Sequence, residues 1–396
     1  MKSDWTEPNN LVPVLALRKS ISKKIQRYLK HRNIHLWGAP GVRHMLVGAP
    51  VPNVELCDSP ISSDEKLIHR IIETYHRTLE AYPQDYLCWD EVSELRTALE
   101  GRDHSKVKNL LEVMFKNSVV HHFGHHEGMY RGRRVWRAGY QELRVSDMLL
   151  SLGEALGILN VPNHAHMKTD AYLRFINSDQ NKLFSAIQEA LGFSLEVPMV
   201  GCPPSFVFDG VHTSADMIRH AYIVHQIKNL GVEYNEAILE IGAGYGSQPY
   251  LAYKAGYRDY TIIDLPVVNA IQMFFLGSTL GTDVVSGFGE KDREIKVLPT
   301  EAINSLPDES ISLVSNMDSM AEWEQHVIKG YLENVKRLSK RFLHINQEAE
   351  AFDPVTQWKH STVQALVSEV GGLKRVYRYP YWMLEGYVEE MYSIRK

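Results

Sequence analysis

The sequence predicts an α/β protein whose C-terminal half carries the sheet and whose N-terminal half is mostly helical. Three observations predict it. From Ala237 onward, short apolar runs alternate with segments of helical periodicity and end in two runs in succession, Leu373 to Tyr379 and Met383 to Val388. The first run, Ala-Ile-Leu-Glu-Ile over 237–241, opens directly onto Gly242-Ala243-Gly244-Tyr-Gly246. Between Ser62 and about Phe193 the apolar spacing is instead that of helices.

The 396 residues, 44% apolar and 23% charged with a net charge of -5, suit one large or two ordinary globular domains. There is no uninterrupted apolar run of bilayer length and no charged-then-apolar leader, so the expected location is the cytoplasm. Cys57, Cys88 and Cys202 are far apart and in no C-x-x-C pair, which suggests neither a disulfide framework nor a zinc ribbon. A mildly acidic chain disfavours general nucleic-acid binding.

Residues 1–55 form a basic N-terminal arm. No acid falls between Glu7 and Glu55, while Arg18, Lys19, Lys23, Lys24, Arg27, Lys30, Arg32 and Arg43 all do. Ile21, Ile25 and Leu29 recur every four residues, the stripe of an amphipathic helix with its charges outward. Such a face suits an anionic partner or simple solvation.

Residues 56–200 form the mostly helical domain, assigned to acceptor recognition or oligomerisation. Ser62-x-x-Glu65 reads as a capping box ahead of Leu67, Ile71, Tyr75 and Leu79. Further helices are expected over Tyr86 to Leu99, Val107 to Phe115, Glu142 to Leu156 and Leu183 to Leu191. His121-His122-Phe-Gly-His125-His126-Glu127 invites a metal reading, but Gly124 and Gly128 argue against a regular helix and no outlying ligand stands out, so no metal is assigned. His164-Ala-His166 is a weaker version of the same pattern. Arg131, Arg133, Arg134 and Arg137 then interleave with Tyr130, Trp136 and Tyr140. Guanidinium forks fit phosphate and aromatic faces fit bases or sugars, so Arg131, Arg133, Arg134 and Trp136 are substrate-binding candidates; a basic loop packed by its own aliphatic stems is the other reading.

Residues 201–396 form the sheet domain, entered through a proline-rich linker over 198–204. A helix from Ser214 to Leu230 places Arg219 and Tyr222 three residues apart on one face. Glycines at every second position after a strand let the backbone pass close under a ligand, and the following helix offers free N–H groups. Glu240 stands just before them, and the next strand, Tyr260 to Ile263, ends in Asp264, placed to accept from a ribose diol. A nicotinamide-dinucleotide fingerprint would need a glycine three residues after Gly244, where Ser247 stands, and has no place for Glu240. After Asp264 come a helix from Pro266 to about Leu280, a strand from Glu294 to Leu298 with Thr300 at its end, and a strand from Ile311 to Ser315. That strand runs into Asn316-Met-Asp318-Ser319-Met-Ala-Glu322-Trp323. Helix Glu324 to Leu338, strand Arg341 to Ile345 and helix Val355 to Val370 lead to the closing strands.

The pattern E-x-G-x-G-x-G followed by a strand ending in Asp resembles the cofactor motif of class I S-adenosylmethionine-dependent methyltransferases. The further runs I-I-D-L-P, S-N-M-D-S-M-A-E-W and L-H-I-N resemble the sugar O-methyltransferase family of bacterial polysaccharide gene clusters, over about Pro203 to Lys396. The resemblance implies a Rossmann-like, mostly parallel sheet with an antiparallel C-terminal hairpin and S-adenosylmethionine as cofactor. It implies O-methylation of a sugar hydroxyl in a nucleotide sugar, glycolipid or surface polysaccharide. It places Glu240, Gly242, Ala243, Gly244, Gly246, Asp264, Leu265, Thr300, Asn316 and Arg219 at the cofactor and Tyr222 and Asn346 at the acceptor. A methyl transfer to oxygen needs a proton acceptor, for which Asp318 and Glu322 come first and His326 and His212 are reserves. A small-molecule O- or N-methyltransferase and a scaffold without chemistry are the alternatives. Apolar helices in the N-terminal half leave room for a homodimer.

Overall fold

The computed structural model describes residues 43, 44, 46, 50–83, 90–120, 130, 140–161, 163, 170–348, 361–384 and 386–394. The basic helix proposed around Ile21 to Leu29, the histidine runs at 121–127 and 164–166, and Arg131, Arg133, Arg134 and Trp136 lie outside the described residues.

Strand β1 (Asn53–Glu55) is followed by the helices α1 (Glu65–Ala81), α2 (Ser93–Glu100), α3 (His104–Glu112), α4 (Tyr140–Ala155), α5 (Asp170–Ile176) and α6 (Gln180–Leu191). The cap of α1 is Asp64, whose carboxylate accepts from the Lys66 N–H, one residue ahead of the acid expected to close a capping box. The proline-rich stretch leads into a hairpin of β2 (Ser205–Phe208) and β3 (Val211–Thr213), and β2 also pairs antiparallel with β1. Helix α7 (Ala215–Asn229), capped by Ser214, then delivers the chain to the main sheet.

The remaining elements are β4 (Ile238–Ile241), α8 (Ser247–Ala255), β5 (Tyr260–Asp264), α9 (Pro266–Leu280), β6 (Val285–Gly287), β7 (Ile295–Pro299), β8 (Leu313–Met317), α10 (Gln325–Leu338), β9 (Arg341–Gln347), α11 (Val363–Val370), β10 (Leu373–Pro380) and β11 (Tyr387–Ile394). The eight-stranded sheet runs β10-β11-β9-β8-β4-β5-β7-β6, with β11 antiparallel to both neighbours and the other pairs parallel. Sequence order jumps outward from β4 in both directions, so the carboxyl ends of β4, β5 and β8 meet where the order reverses. This is the sheet of the class I methyltransferase fold, with β6 added at one edge.

Both faces of the sheet are covered, as a parallel sheet requires. Alternation along β4 sends Ile238 into a core shared with α1 to α9 and sends Leu239 and Ile241 into a second core with Ile328, Leu332 and Val335 of α10 and Leu366 of α11. Glu240 therefore faces the first core. The last strand begins later than its apolar residues suggest, at Tyr387 rather than Met383. It carries Glu389 and Glu390, both buried, which take hydrogen bonds from Tyr222 and Tyr377 (Glu389) and from Arg375, Arg378 and Tyr392 (Glu390). Charges that read as the end of a strand are thus paid for by partners from distant elements. Among the described residues no helix is long and apolar enough to cross a membrane.

Candidate active site

Gly242, Gly244 and Gly246 have φ of 74°, 55° and 103°, all in the left-handed region that residues with a Cβ rarely adopt. The turn they make is tied down on both sides. The Gly242 N–H donates to the Ile263 carbonyl at 3.0 Å, and the Ala243 N–H donates to Asp264 Oδ2 at 3.1 Å. Gly246 caps α8, whose first residues, Ser247 to Tyr250, are buried.

Asp264 sits at the tip of β5 and bends toward this turn. Its Oδ2 also accepts from Gln272 Nε2 at 2.7 Å, and Gln272 donates to the Gly244 carbonyl at 2.9 Å, so one amide of α9 clamps the acid and the loop together. Oδ1 accepts from the Leu265 N–H at 2.9 Å. Burial raises the Asp264 carboxyl to about 7 although the Leu265 N–H, Gln272 and the Ala243 N–H all favour its charged form. Thr300 begins the next segment at the same edge, directly after Pro299, which is in register with Asp264.

Glu240 is 3% exposed and lies beneath the turn. Its carboxylate accepts from the Tyr260 hydroxyl at 2.7 Å, and Gln248 donates to both the Tyr260 hydroxyl, at 2.9 Å, and Ser315, at 3.3 Å. Burial pushes Glu240 up to about 8, against the Tyr260 hydrogen bond and with help from the Asp264 charge.

On the other side of the turn, Asn316, one residue before the end of β8, is fully engaged. Its amide donates to the Ile241 carbonyl at 2.8 Å and to Ser319 Oγ at 2.6 Å, and its carbonyl accepts from Asn346 at 2.9 Å. Asn346 also lies 3.4 Å from the Ala321 N–H, so the two asparagines tie the ends of β4, β8 and β9 to the short turn over Met320–Glu322.

The segment from the end of β8 through that turn carries the two acids. Asp318 has a left-handed φ of 58°, its N–H bonded to the Ile345 carbonyl at 2.9 Å, and its carboxylate accepts from the Tyr387 hydroxyl. Glu322 is pushed up to about 7, first by burial and then by the Asp318 charge. Arg219 of α7 completes the group. It pairs with Asp216 at 3.0 Å, and the Asp216 and Asp318 carboxylates together raise its guanidinium against the lowering effect of burial. Its Nε is buried with no hydrogen-bond partner among the described residues. Tyr381, which reaches the Arg219 carbonyl at 3.4 Å, packs edge-on against Tyr222, and the Tyr222 hydroxyl donates to Glu389 at 2.7 Å.

The structure thus brings Gly242, Ala243, Gly244, Gly246, Asp264, Leu265 and Thr300 to one side of the sheet edge and Asn316, Asp318, Glu322 and Arg219 to the other. Glu240, Asn346 and Tyr222 support these groups from within. It does not bring in the histidines: His326 is 78% exposed on α10 and paired with Glu324, and His212 lies in the small sheet, against Ser205 at 2.9 Å. Sequence reading missed Gln272, Ser319, Tyr381 and Tyr387. Asn269 and Gln272 were visible as polar positions in the otherwise apolar start of α9, with Asn269 donating to Gln272 at 3.0 Å. Among the described residues no group of three or more histidine, cysteine or acidic side chains is placed to hold a metal ion.

No family model and no curated protein matches the chain. Similar solved structures include geranyl diphosphate C-methyltransferase from Streptomyces coelicolor, solved with Mg2+, geranyl diphosphate and S-adenosyl-L-homocysteine, at 9% identity and a TM-score of 0.35 over 44% of this chain and 78% of that one. Magnesium protoporphyrin IX methyltransferase from Synechocystis, with bound S-adenosylhomocysteine, is similar at 10% identity and a TM-score of 0.34 over 44% of this chain and 81% of that one. The fold assignment rests on the strand order.

The raised carboxyls have a consequence for stability. Glu240, Asp264 and Glu322 hold their protons more tightly folded than unfolded, so their contribution is full below the ordinary carboxylate range and is lost as pH rises through about 8, 7 and 7 respectively. Glu390, held down to about 2 by His344, Tyr392 and Arg378 against the opposing effect of burial, works in the opposite sense and loses its contribution as pH falls below the ordinary range. The unfolding temperature should therefore peak near about pH 5 and decline toward about pH 8. Glu240→Gln should flatten that decline in a thermal scan across pH; an unchanged slope would show that Glu240 ionises normally.

Proposed function

We propose that the chain is an S-adenosylmethionine-dependent methyltransferase that methylates a sugar hydroxyl. The observation that carries this reading is the pairing of a left-handed glycine turn, flanked by Asp264, with the Asp318 and Glu322 carboxyls at the same sheet edge. The site fits the cofactor's charges. Arg219 offers an unclaimed buried donor for a carboxylate, and Asp216, Asp318, Glu322 and Asp264 make the edge suited to a cation. Asp264 would accept from the ribose hydroxyls, with Ala243, Leu265 and Thr300 beside the base, while Glu240 holds the turn from below through Tyr260.

When bound, S-adenosylmethionine supplies an electrophilic methyl group on a cationic sulfonium. The protein's part is alignment and proton removal. Glu322, with a proton affinity near neutrality, takes the proton from the acceptor hydroxyl, and Asp318, oriented by Tyr387, sustains that affinity. Tyr381 and Tyr387 flank the acids with the aromatic and hydroxyl character that suits a sugar ring. The D-L-P and N-x-x-S-x-x-E runs resemble those of the sugar O-methyltransferase family, and that resemblance is what supports a sugar over other small hydroxyl compounds.

The test is calorimetric titration with S-adenosylhomocysteine of the wild type, Asp264→Ala and Gly244→Val, followed by acceptor screening with nucleotide sugars. One-to-one binding that both substitutions weaken by at least about tenfold, or about 1.4 kcal/mol, is expected. A wild type that binds nothing would remove the basis of the reading.

A further inference from the structure

Cys57 and Cys202 are 145 residues apart in the chain, yet their sulfurs lie 2.8 Å from one another. The antiparallel pairing of β1 with β2, with Glu55 opposite Ser205, brings the flanking cysteines together. Their backbones are fixed by one shared group. The Tyr130 hydroxyl accepts from the Cys57 N–H at 3.0 Å and donates to the Cys202 carbonyl at 2.9 Å. Cys202 is fully buried with a left-handed φ of 59°, and the carbonyl of Gly201 beside it accepts from the Phe115 N–H at 3.0 Å. Cys57 is half-buried. Burial and the neighbouring Cys57 push the Cys202 thiol up to about 12, against the opposing effect of Lys116, which reaches the Asp58 carbonyl at 3.2 Å and hydrogen-bonds to Cys202. The first attack on an oxidant therefore falls to Cys57. Bond formation requires the sulfurs to close by only about 0.8 Å.

We propose that Cys57 and Cys202 are a redox-modification site that closes to a reversible disulfide on exposure to a low-molecular-weight disulfide such as glutathione disulfide. The Cys57 thiolate attacks one sulfur of the oxidant and expels one glutathione thiolate, leaving a mixed disulfide. Cys202, its proton passed to solvent, attacks the Cys57 sulfur and expels the second. Two protein thiols are oxidised and one glutathione disulfide is reduced to two glutathiones, so the electrons balance. The bond staples the strand before the helical region to the strand entering the sheet domain, closing a 145-residue loop.

The experiment treats the full chain under native conditions with glutathione disulfide, alkylates the remaining thiols, and maps the peptides by mass spectrometry before and after reduction with dithiothreitol. A peptide pair joining Cys57 to Cys202 is expected. The oxidised wild type should unfold about 5 °C higher than the reduced protein, and Cys57→Ser should show neither cross-link nor shift. Glutathione remaining on Cys57, a link to Cys88, or both Cys57 and Cys202 recovered alkylated after the glutathione disulfide treatment would each overturn the proposal. The wild-type map decides it even if a variant folds poorly.

Discussion

Gly242→Ala should weaken S-adenosylhomocysteine binding by at least about 100-fold, or about 2.7 kcal/mol, and lower the unfolding temperature as well. Gly242 has φ of 74°, where a Cβ costs about 1 to 2 kcal/mol in backbone strain alone. An added Cβ would lie 2.8 Å from Ser319 Cβ and closer still to its Oγ. Ser319 cannot simply turn aside. Its hydroxyl takes the Asn316 amide at 2.6 Å, and Asn316 is bound in turn to Ile241 and Asn346. Relief of the clash therefore either breaks a buried network or displaces the glycine turn. Gly281→Ala is the control: its φ of 103° brings the backbone cost, but a Cβ there meets nothing within 4 Å. Calorimetric titration and thermal unfolding of the two variants separate the terms. Equal loss of binding in both, or retention of wild-type affinity by Gly242→Ala, would show that the turn does not touch the ligand.

Glu322→Gln should reduce kcat by about 10² to 10⁴-fold with S-adenosylhomocysteine affinity unchanged, once an acceptor is in hand. The pH profile carries the more specific expectation. Wild-type kcat should rise with pH to a plateau, with an apparent pKa of the acidic pair near about 7, because Glu322 must lose its proton to act. Asp318→Asn removes the negative charge that helps raise Glu322, so the acid limb should move to lower pH even as the maximum falls. A purely structural role for Asp318 would lower the rate without moving that limb. His326→Ala, on a side chain 78% exposed, should leave both rate and profile alone. Loss of activity in His326→Ala with Glu322→Gln unaffected would transfer the base to α10.

Much of this site was legible because its chemistry is local. Three alternate glycines after a buried strand, and an acid at the end of the next, are backbone requirements that no other residues meet as well, and all three glycines are left-handed in the structure. The alternation of strands and helices set the layer order for the same reason: each apolar stripe needs a face to bury against. The misses have a common cause. Gln272, Ser319 and Tyr387 act through contacts with residues far away in sequence, and Glu389 and Glu390 look like surface charges until Tyr222, Tyr377, Arg375 and Arg378 arrive from other elements. His326 looked well placed after β8, yet α10 buries Ile328, Leu332 and Val335 and turns His326 outward.

Sequence by itself determined the glycine turn, the acids at the strand ends and the alternation of strands with helices along the chain, since local backbone sterics and apolar periodicity dictate them. Tertiary structure alone decided which acids share a field, which histidines face water, and that Cys57 meets Cys202 across 145 residues. Those outcomes depend on strand register and on the rotation of each helix about its axis, which only the packed core fixes.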